Sequence, residues 1–197
     1  MQTIDESQLE TDLQYRYEYL AEFIGFSSDD AAAIQSFAPH LGPRIAELVE
    51  KTYTKLLAGD ATARHFLPKQ HGYEGDLPEK LADLDADHPQ VQFRKDHLNR
   101  YFMQLIGRTY DPKMVVYLDM VGKIHTPEAG NEQIKVPLVQ MNALIGLLSD
   151  TLMEAIAESS LEGEKAIATL LAFNKLMWIQ NDLVTRHYCR APCFANT

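Results

Sequence analysis

Apolar residues recur at intervals of three and four along most of this chain, and nowhere do apolar and polar residues alternate between turn signals. This spacing places side chains on one face of an α-helix, whereas strands need a period of two. Proline, glycine and capping residues divide the pattern into predicted helices. Their expected ranges are 6–24, 27–37, 43–58, 60–66, 89–106, 111–125, 135–158 and 161–188. The sequence therefore predicts an all-α fold.

The chain is short enough for one domain. It has 197 residues, no internal repeat and no glycine- or serine-rich linker, so we expect a single domain over 1–197. The polar segment 68–88 is the longest weakly patterned stretch, and we expect a loop there whose role stays open. The tail 189–197 holds both cysteines, Cys189 and Cys193. The sequence leaves open whether they are inert thiols, a redox pair or a crystal-dependent bridge.

Acidic residues outnumber basic ones by 28 to 18, which gives a formal net charge of −10. Such a charge repels polyanions, so we expect no binding to nucleic acid or to an anionic membrane surface. The apolar stretch 136–157 is long enough to span a bilayer, but polar residues interrupt it at helical intervals, which is typical of a buried helix. The first ten residues lack the apolar segment of a secretory signal, so a cytoplasmic location is expected.

The last two predicted helices carry more apolar surface than one packing contact needs. Small or apolar residues such as Ala143, Gly146, Leu171 and Trp178 lie off the main apolar stripes of these helices. Additional apolar faces of this kind are typical of contact with a partner. We therefore expect a homodimer that forms through the two C-terminal helices.

Several common catalytic motifs are missing from the sequence. There is no GxGxxG, GxxxxGKS/T, GxSxG or HExxH, and no histidine has a glutamate three residues before it. The sequence therefore lacks the usual signatures of four kinds of site: nucleotide-binding, hydrolase, zinc-protease and ferritin-like di-iron sites. The residues give no support to an enzyme of these classes.

His125 ends an otherwise apolar helical face. Counting back from it, apolar residues occur at spacings of four, three and four: Val121, Leu118 and Met114. By itself this pattern is more typical of a hydrogen-bonded core histidine than of a metal ligand. Tyr53 falls on the apolar stripe of its predicted helix, and by itself it is typical of a packed aromatic with a satisfied hydroxyl.

Three segments taken together resemble the protoglobins and the globin domains of globin-coupled sensors. RYEYLAEFIGF at 16–26, followed by SSDD, is similar to the family's extra N-terminal helix and its junction to the first globin helix. VEKTYTKLL at 49–57 is similar to the second globin helix, and VGKIH at 121–125 matches the Gly-x-x-His ending of the helix that supplies the proximal heme ligand. The similarity spans most of the chain. It implies a globin-like helical sandwich with an N-terminal extension helix at 1–26.

The resemblance also implies a heme pocket. It assigns His125 as the proximal iron ligand and Tyr53 as the distal residue that faces the bound gas. The other expected pocket residues are aromatic or apolar: Phe66 at the heme edge, Phe93 on the next helix, and Met141, Leu144 and Leu148 from helical facing. Because no CxxCH occurs in the sequence, the expected cofactor is heme b without covalent attachment.

Further polar residues are candidates for contact with the heme. The candidates for the sixth iron position are His88 and His97, and those for the propionates are Lys69, His71, Lys80 and Arg94. The chain departs from the family in three places. Thr52 stands where a second aromatic is common, and the connection after His125 and the 68–88 insertion also differ. No signalling module follows the last predicted helix, which favours a stand-alone globin over a sensor.

The function that the resemblance implies is reversible binding of O2, CO or NO rather than turnover. Two alternatives stay open: a heme-free, globin-shaped sensory or interaction domain, and a heme enzyme for nitric oxide or peroxide chemistry that depends on a separate reductase. The sequence does not decide which gas is bound, or whether binding serves sensing, storage or detoxification.

Overall fold

The computed structural model describes residues 3–188, and these residues form α-helices and turns without any strand. The helices are α1 (Glu6–Thr11), α2 (Leu13–Ile24), α3 (Ser28–Ser36), α4 (Ala38–Leu41), α5 (Ile45–Leu57), α6 (Asp60–Ala63), α7 (Pro89–Gly107), α8 (Pro112–Lys123), α9 (Leu138–Ala157) and α10 (Gly163–Thr185). The predicted all-α fold is confirmed. No helix within residues 3–188 combines the length and the apolar character needed to span a membrane.

The N-terminal extension contains two helices, so the prediction of one helix over 6–24 is wrong. Asp12 has an extended backbone, and its side chain accepts hydrogen bonds from the N–H groups of Gln14 and Tyr15. A carboxylate that caps the first turn of α2 stabilises a new helix start at this point. Gly25, with φ of 75°, ends α2 in the left-handed conformation that glycine adopts without strain.

Prolines account for two other differences between the predicted and observed helices. The predicted 27–37 helix is followed directly by the short helix α4, because Pro39 lies in the first turn of that helix, where no N–H donor is needed. Helix α9 begins at Leu138 rather than at 135, since Pro137 disfavours the helical conformation of Val136. Helix α10 is shorter than predicted at both ends.

Helix α10 lies at the centre of the packing and contacts α2, α3, α8 and α9, while α5 packs on α7. The largest fully buried side chains in this core include Phe37, Phe102 and Phe173. Burial of each such side chain contributes roughly 1.5–3 kcal/mol of transfer free energy. Beside this core, a space is left between parts of α5, α7, α8 and α9.

The loop predicted over 68–88 is confirmed, apart from a single 3-10 turn at Leu81–Asp83. One end of this segment is fixed by aromatic packing, since the rings of Tyr73 and Phe93 lie 5.4 Å apart. Cys189, Cys193 and the rest of the 189–197 tail lie outside the described residues.

Candidate functional site

A cavity of about 310 Å³ lies between α5, α7, α8 and α9. Its volume is at the lower end of the range found for ligand pockets. The predicted pocket residues that line it are Tyr53, Phe66, His125, Met141, Leu144 and Leu148. Of the aromatic and apolar residues predicted for the pocket, Phe93 does not line it. The fold thus brings six residues from four separate segments of the sequence to one space.

His125 lies in the turn that directly follows α8, and its ring is oriented by a hydrogen bond. Its Nδ1 is 2.7 Å from the carbonyl oxygen of Val121. Because a carbonyl can only accept, Nδ1 carries the proton and Nε2 keeps its lone pair. Desolvation is the largest cause that lowers the pKa of His125 to about 4, and the charge of Arg94 is the second. The imidazole is therefore neutral near pH 7, and Nε2 is the nitrogen whose lone pair could bind a metal.

Gly122 determines how close the end of α8 comes to α10. A Cβ atom at this position would lie 2.7 Å from the Cα of Val184 and 3.0 Å from Cδ2 of His187. These distances leave no room for any side chain, so the glycine permits direct backbone contact between the two helices. The close contact fixes the last turn of α8, which positions His125 against the cavity.

Tyr53 projects from α5 into the same cavity. Its side chain is 3% exposed, and its ring centroid is 5.7 Å from that of Phe66. Burial raises the pKa of Tyr53 to about 12, although nearby Arg94 favours the phenolate and offsets part of this effect. The hydroxyl is therefore protonated near neutral pH and can donate a hydrogen bond into the cavity.

Arg94 lies among the polar groups of the cavity. Its Nη2 is 3.3 Å from Nε2 of His125, and its Nε is buried without a hydrogen-bond partner in the described residues. No carboxylate in residues 3–188 forms an ion pair with it. A partly buried cation without a counter-ion is costly. The cavity therefore fits a ligand that carries negative charge at its edge.

Phe93 packs outside the cavity wall, against Tyr73 and His97, with ring centroids 5.4 Å and 4.4 Å away. Helix α7 instead contributes Arg94, His97, Leu98 and Tyr101 to the cavity. These side chains are one, four, five and eight residues further along the helix than the predicted Phe93. A short-range pattern gives the apolar face of a helix but not which part of it meets the cavity.

The other polar candidates separate into two groups. His97 and His71 line the cavity, as Arg94 does. The remaining candidates have local partners away from it: Nδ1 of His88 accepts from Gln90 N–H at the start of α7, Lys69 pairs with Glu74, and Lys80 pairs with Asp83. The structure therefore leaves His97 as the cavity-facing candidate for the sixth iron position.

Among the polar cavity residues that were not predicted from the sequence are His65 and Gln140. Nε2 of His65 and Oε1 of Gln140 are both buried without a hydrogen-bond partner in the described residues, and both side chains line the cavity. Gln140 is oriented because its Nε2 donates to the carbonyl of Ala61 at 3.0 Å. No sequence pattern marks these residues, since the turn after α6 and helix α9 meet only in the folded chain.

A pair of buried glutamines holds the segment that carries His65 and Phe66. Gln90 is fully buried, and its side-chain amide donates to the carbonyls of Phe66 and Pro68 and accepts from Gln70 N–H. Gln70 in turn donates to the carbonyls of His65 and Pro68. These bonds satisfy buried backbone groups, and they fix this wall of the cavity to α7.

The comparisons with known proteins agree with this geometry. The family model described as Protoglobin matches residues 13–192, which is nearly the whole chain. No curated protein matches the chain. Proteins of this family are globins, which generally bind heme and gaseous ligands. The chain, with its helical fold and its histidine-bearing cavity, therefore belongs to the protoglobin family.

Proposed function

We propose that this protein binds heme b in the cavity and reversibly binds O2, CO or NO there, with His125 as the axial iron ligand. The observation that carries the proposal is the orientation of the imidazole. Its Nδ1 donates to the Val121 carbonyl, so Nε2 is the unprotonated nitrogen of a side chain that lines the same cavity as Tyr53. Neutral imidazole in this tautomer is the form that ligates heme iron.

Different residues of the chain have different roles in the proposed site. When bound, heme supplies a ferrous iron that can take up a diatomic gas. Tyr53 donates a hydrogen bond from its hydroxyl to a polar gas ligand, which stabilises that ligand in the cavity. Apolar side chains such as Phe66, Leu144 and Leu148 exclude water from the same space. Exclusion of water strengthens the Tyr53 hydrogen bond, because polar contacts are stronger in an apolar surrounding.

Arg94 completes the fit between these residues and heme. Heme carries propionate carboxylates, and Arg94 is a cavity-facing cation without a counter-ion among the described residues. We assign Arg94 to a propionate, which would require its guanidinium to leave the 3.3 Å contact with Nε2 of His125. A guanidinium suits this role because it can donate two parallel hydrogen bonds to a carboxylate.

The proposal is tested by titrating the protein with hemin and recording absorption spectra in the ferric, ferrous and CO-bound forms. The wild type should give a stoichiometric Soret band, and His125→Gly should lose the axial histidine signature, with recovery when imidazole is added. His40→Ala is the matched control, because His40 packs on Phe37 outside the cavity. Absence of a Soret band in the wild type would refute the proposal and favour the heme-free interaction domain.

We further propose that α9 and α10 form a homodimer interface. Both helices present large apolar side chains to solvent: Val139 is 73% exposed, Ile167 58%, Leu171 54% and Trp178 59%. Trp178 also lies beside a shallow cleft lined by Asn142, Gly146 and Ser149. Trp178→Glu should shift the protein from dimer to monomer in sedimentation velocity, whereas Phe23→Glu, at an exposed site on α2, should not. A wild type that sediments as a monomer would refute this interface.

A further inference from the structure

Positive charge is concentrated on two helices of an otherwise acidic protein. The segment 89–123, which contains α7 and α8, has six lysines and arginines but only three aspartates, while the chain has a net charge of −10. Within the described residues, Lys95 pairs with Glu50 and Arg94 lines the cavity. The other four of these cations form no ion pair: Arg100, Arg108, Lys113 and Lys123. Their charge is thus available to an external partner.

Exposed apolar side chains lie among these cations. Met103 on α7 is 51% exposed, and Val116 and Met120 on α8 are 56% and 46% exposed. On α8 the spacing places Lys113, Val116, Met120 and Lys123 on one helical face, since they are three, four and three residues apart. On α7, Arg100 and Met103 share a face in the same way. We call this set of cations and apolar side chains the cationic face.

The cationic face reaches the wall of the cavity. Met120 belongs to both, because its side chain is exposed to solvent and also lines the cavity. Tyr117 lies one turn before Val121 in the same wall, and the charges of Arg108 and Arg100 partly offset the rise that burial causes in its pKa. Arg100 on α7 and Arg108, which directly follows α7, are therefore near enough to Tyr117 on α8 to act on its hydroxyl.

We propose that the cationic face docks an acidic protein that donates single electrons to the heme, an inference that rests on the proposed function. An apolar centre rich in methionine with charged residues around it is the anatomy of a protein interface. A site for nucleic acid would need a longer cationic surface without an apolar centre. In the reaction, one electron leaves the donor's reduced centre, which is oxidised by one electron, and converts ferric to ferrous iron without transfer of an atom or proton.

Docking is tested first by binding, without electron transfer. The heme-loaded protein is titrated with an oxidised, acidic [2Fe–2S] ferredoxin by calorimetry at about 0.02 M salt and again at about 0.5 M salt, where exposed charges are screened. We expect binding at low salt that is lost at high salt. Arg100→Glu and Lys113→Glu should each weaken binding about three- to tenfold, since each replaces an attraction by a repulsion.

Lys55→Glu is the matched control for these variants. Lys55 is exposed on α5 and forms no ion pair among the described residues. Its replacement by glutamate changes the net charge by the same amount as Arg100→Glu or Lys113→Glu. Equal loss of binding in all three variants would show that only net charge matters and would overturn the proposal. So would salt-insensitive binding, self-association through this face, or tighter binding to a single-stranded oligonucleotide than to the ferredoxin.

A second readout follows reduction. Reduced ferredoxin should convert the ferric protein to its ferrous CO form, and the rate should fall in Arg100→Glu and Lys113→Glu but not in Lys55→Glu. Heme content is measured separately from the Soret band. Normal heme binding without ferredoxin binding would therefore overturn the docking proposal alone, whereas loss of heme binding would overturn the proposed function itself.

Discussion

Replacing Tyr53 by phenylalanine removes one hydroxyl from the cavity and leaves its shape unchanged. The ring is 3% exposed and packs at 5.7 Å from Phe66, so the substituted ring fills the same volume. A hydrogen bond to a strongly polarised acceptor contributes roughly 1–3 kcal/mol. Since about 1.4 kcal/mol corresponds to a factor of ten, we expect O2 affinity to fall about tenfold to a hundredfold.

The effect on CO should be smaller, because CO gains less negative charge than O2 when it binds a ferrous heme. The assay is stopped-flow measurement of O2 dissociation together with CO association in the same preparation. Tyr17→Phe is the control, since Tyr17 is also buried, with a pKa raised to about 12, but lies outside the cavity. Equal losses for the two gases, or a comparable loss in the Tyr17 variant, would refute the assigned role of Tyr53.

The pH dependence of this effect follows from the ionisation of the phenol. Burial raises the pKa of Tyr53 to about 12, so the hydroxyl keeps its proton throughout the neutral range. The difference between wild type and Tyr53→Phe should therefore be constant from about pH 6 to about pH 10, and it should disappear as pH rises through the folded-state pKa. A wild-type affinity that changes near pH 8 while the variant's does not would contradict this ionisation state.

Three further predictions address the supports of the site. Gly122→Ala should destabilise the fold by about 1–3 kcal/mol in urea unfolding, because its Cβ would lie 2.7 Å from the Cα of Val184. Gly146→Ala is the control and should not destabilise the fold, since nothing lies within 4 Å of a Cβ there. Equal effects of the two substitutions would contradict the close contact at Gly122. Arg94→Leu should weaken hemin binding about tenfold in competition with apomyoglobin, whereas unchanged or tighter binding would refute the propionate contact. Gln90→Leu leaves buried carbonyls unpaired and should cost roughly 1–3 kcal/mol in urea unfolding, with faster heme loss than in wild type; retention of wild-type stability would show that these bonds are dispensable.

Much of the helical structure could be predicted from the sequence, because helix formation depends on groups three or four residues apart. The predicted helix boundaries are wrong where a single capping side chain or proline ring starts a new helix. Asp12 caps a new helix in the middle of a continuous apolar pattern, and Pro39 starts a short helix where an end was expected. In both cases the residue was visible in the sequence, but its type fits either the interior or end of one helix or the start of another.

The pocket was predicted less completely than the helices. His125 and Tyr53 were identified because family motifs contain them, and both line the cavity. Phe93 was assigned to the cavity but lies outside it, since the rotation of α7 about its axis is set by contacts with α5 and with Tyr73. A helix brings several residues within reach of a neighbour, and only the packing selects which of them face the ligand.

The sequence by itself determined the all-α fold, the family and the two residues that define the proposed site. The tertiary structure alone decided which polar groups surround them: Arg94 beside His125, and His65 and Gln140 in the lining of the same cavity. It also decided that Met103 on α7 and Met120 on α8 stay exposed on helices that carry cations. The physical reason is distance along the chain. Helical periodicity is a local property of neighbouring residues, whereas a cavity and a charged face are made by helices that meet only after folding.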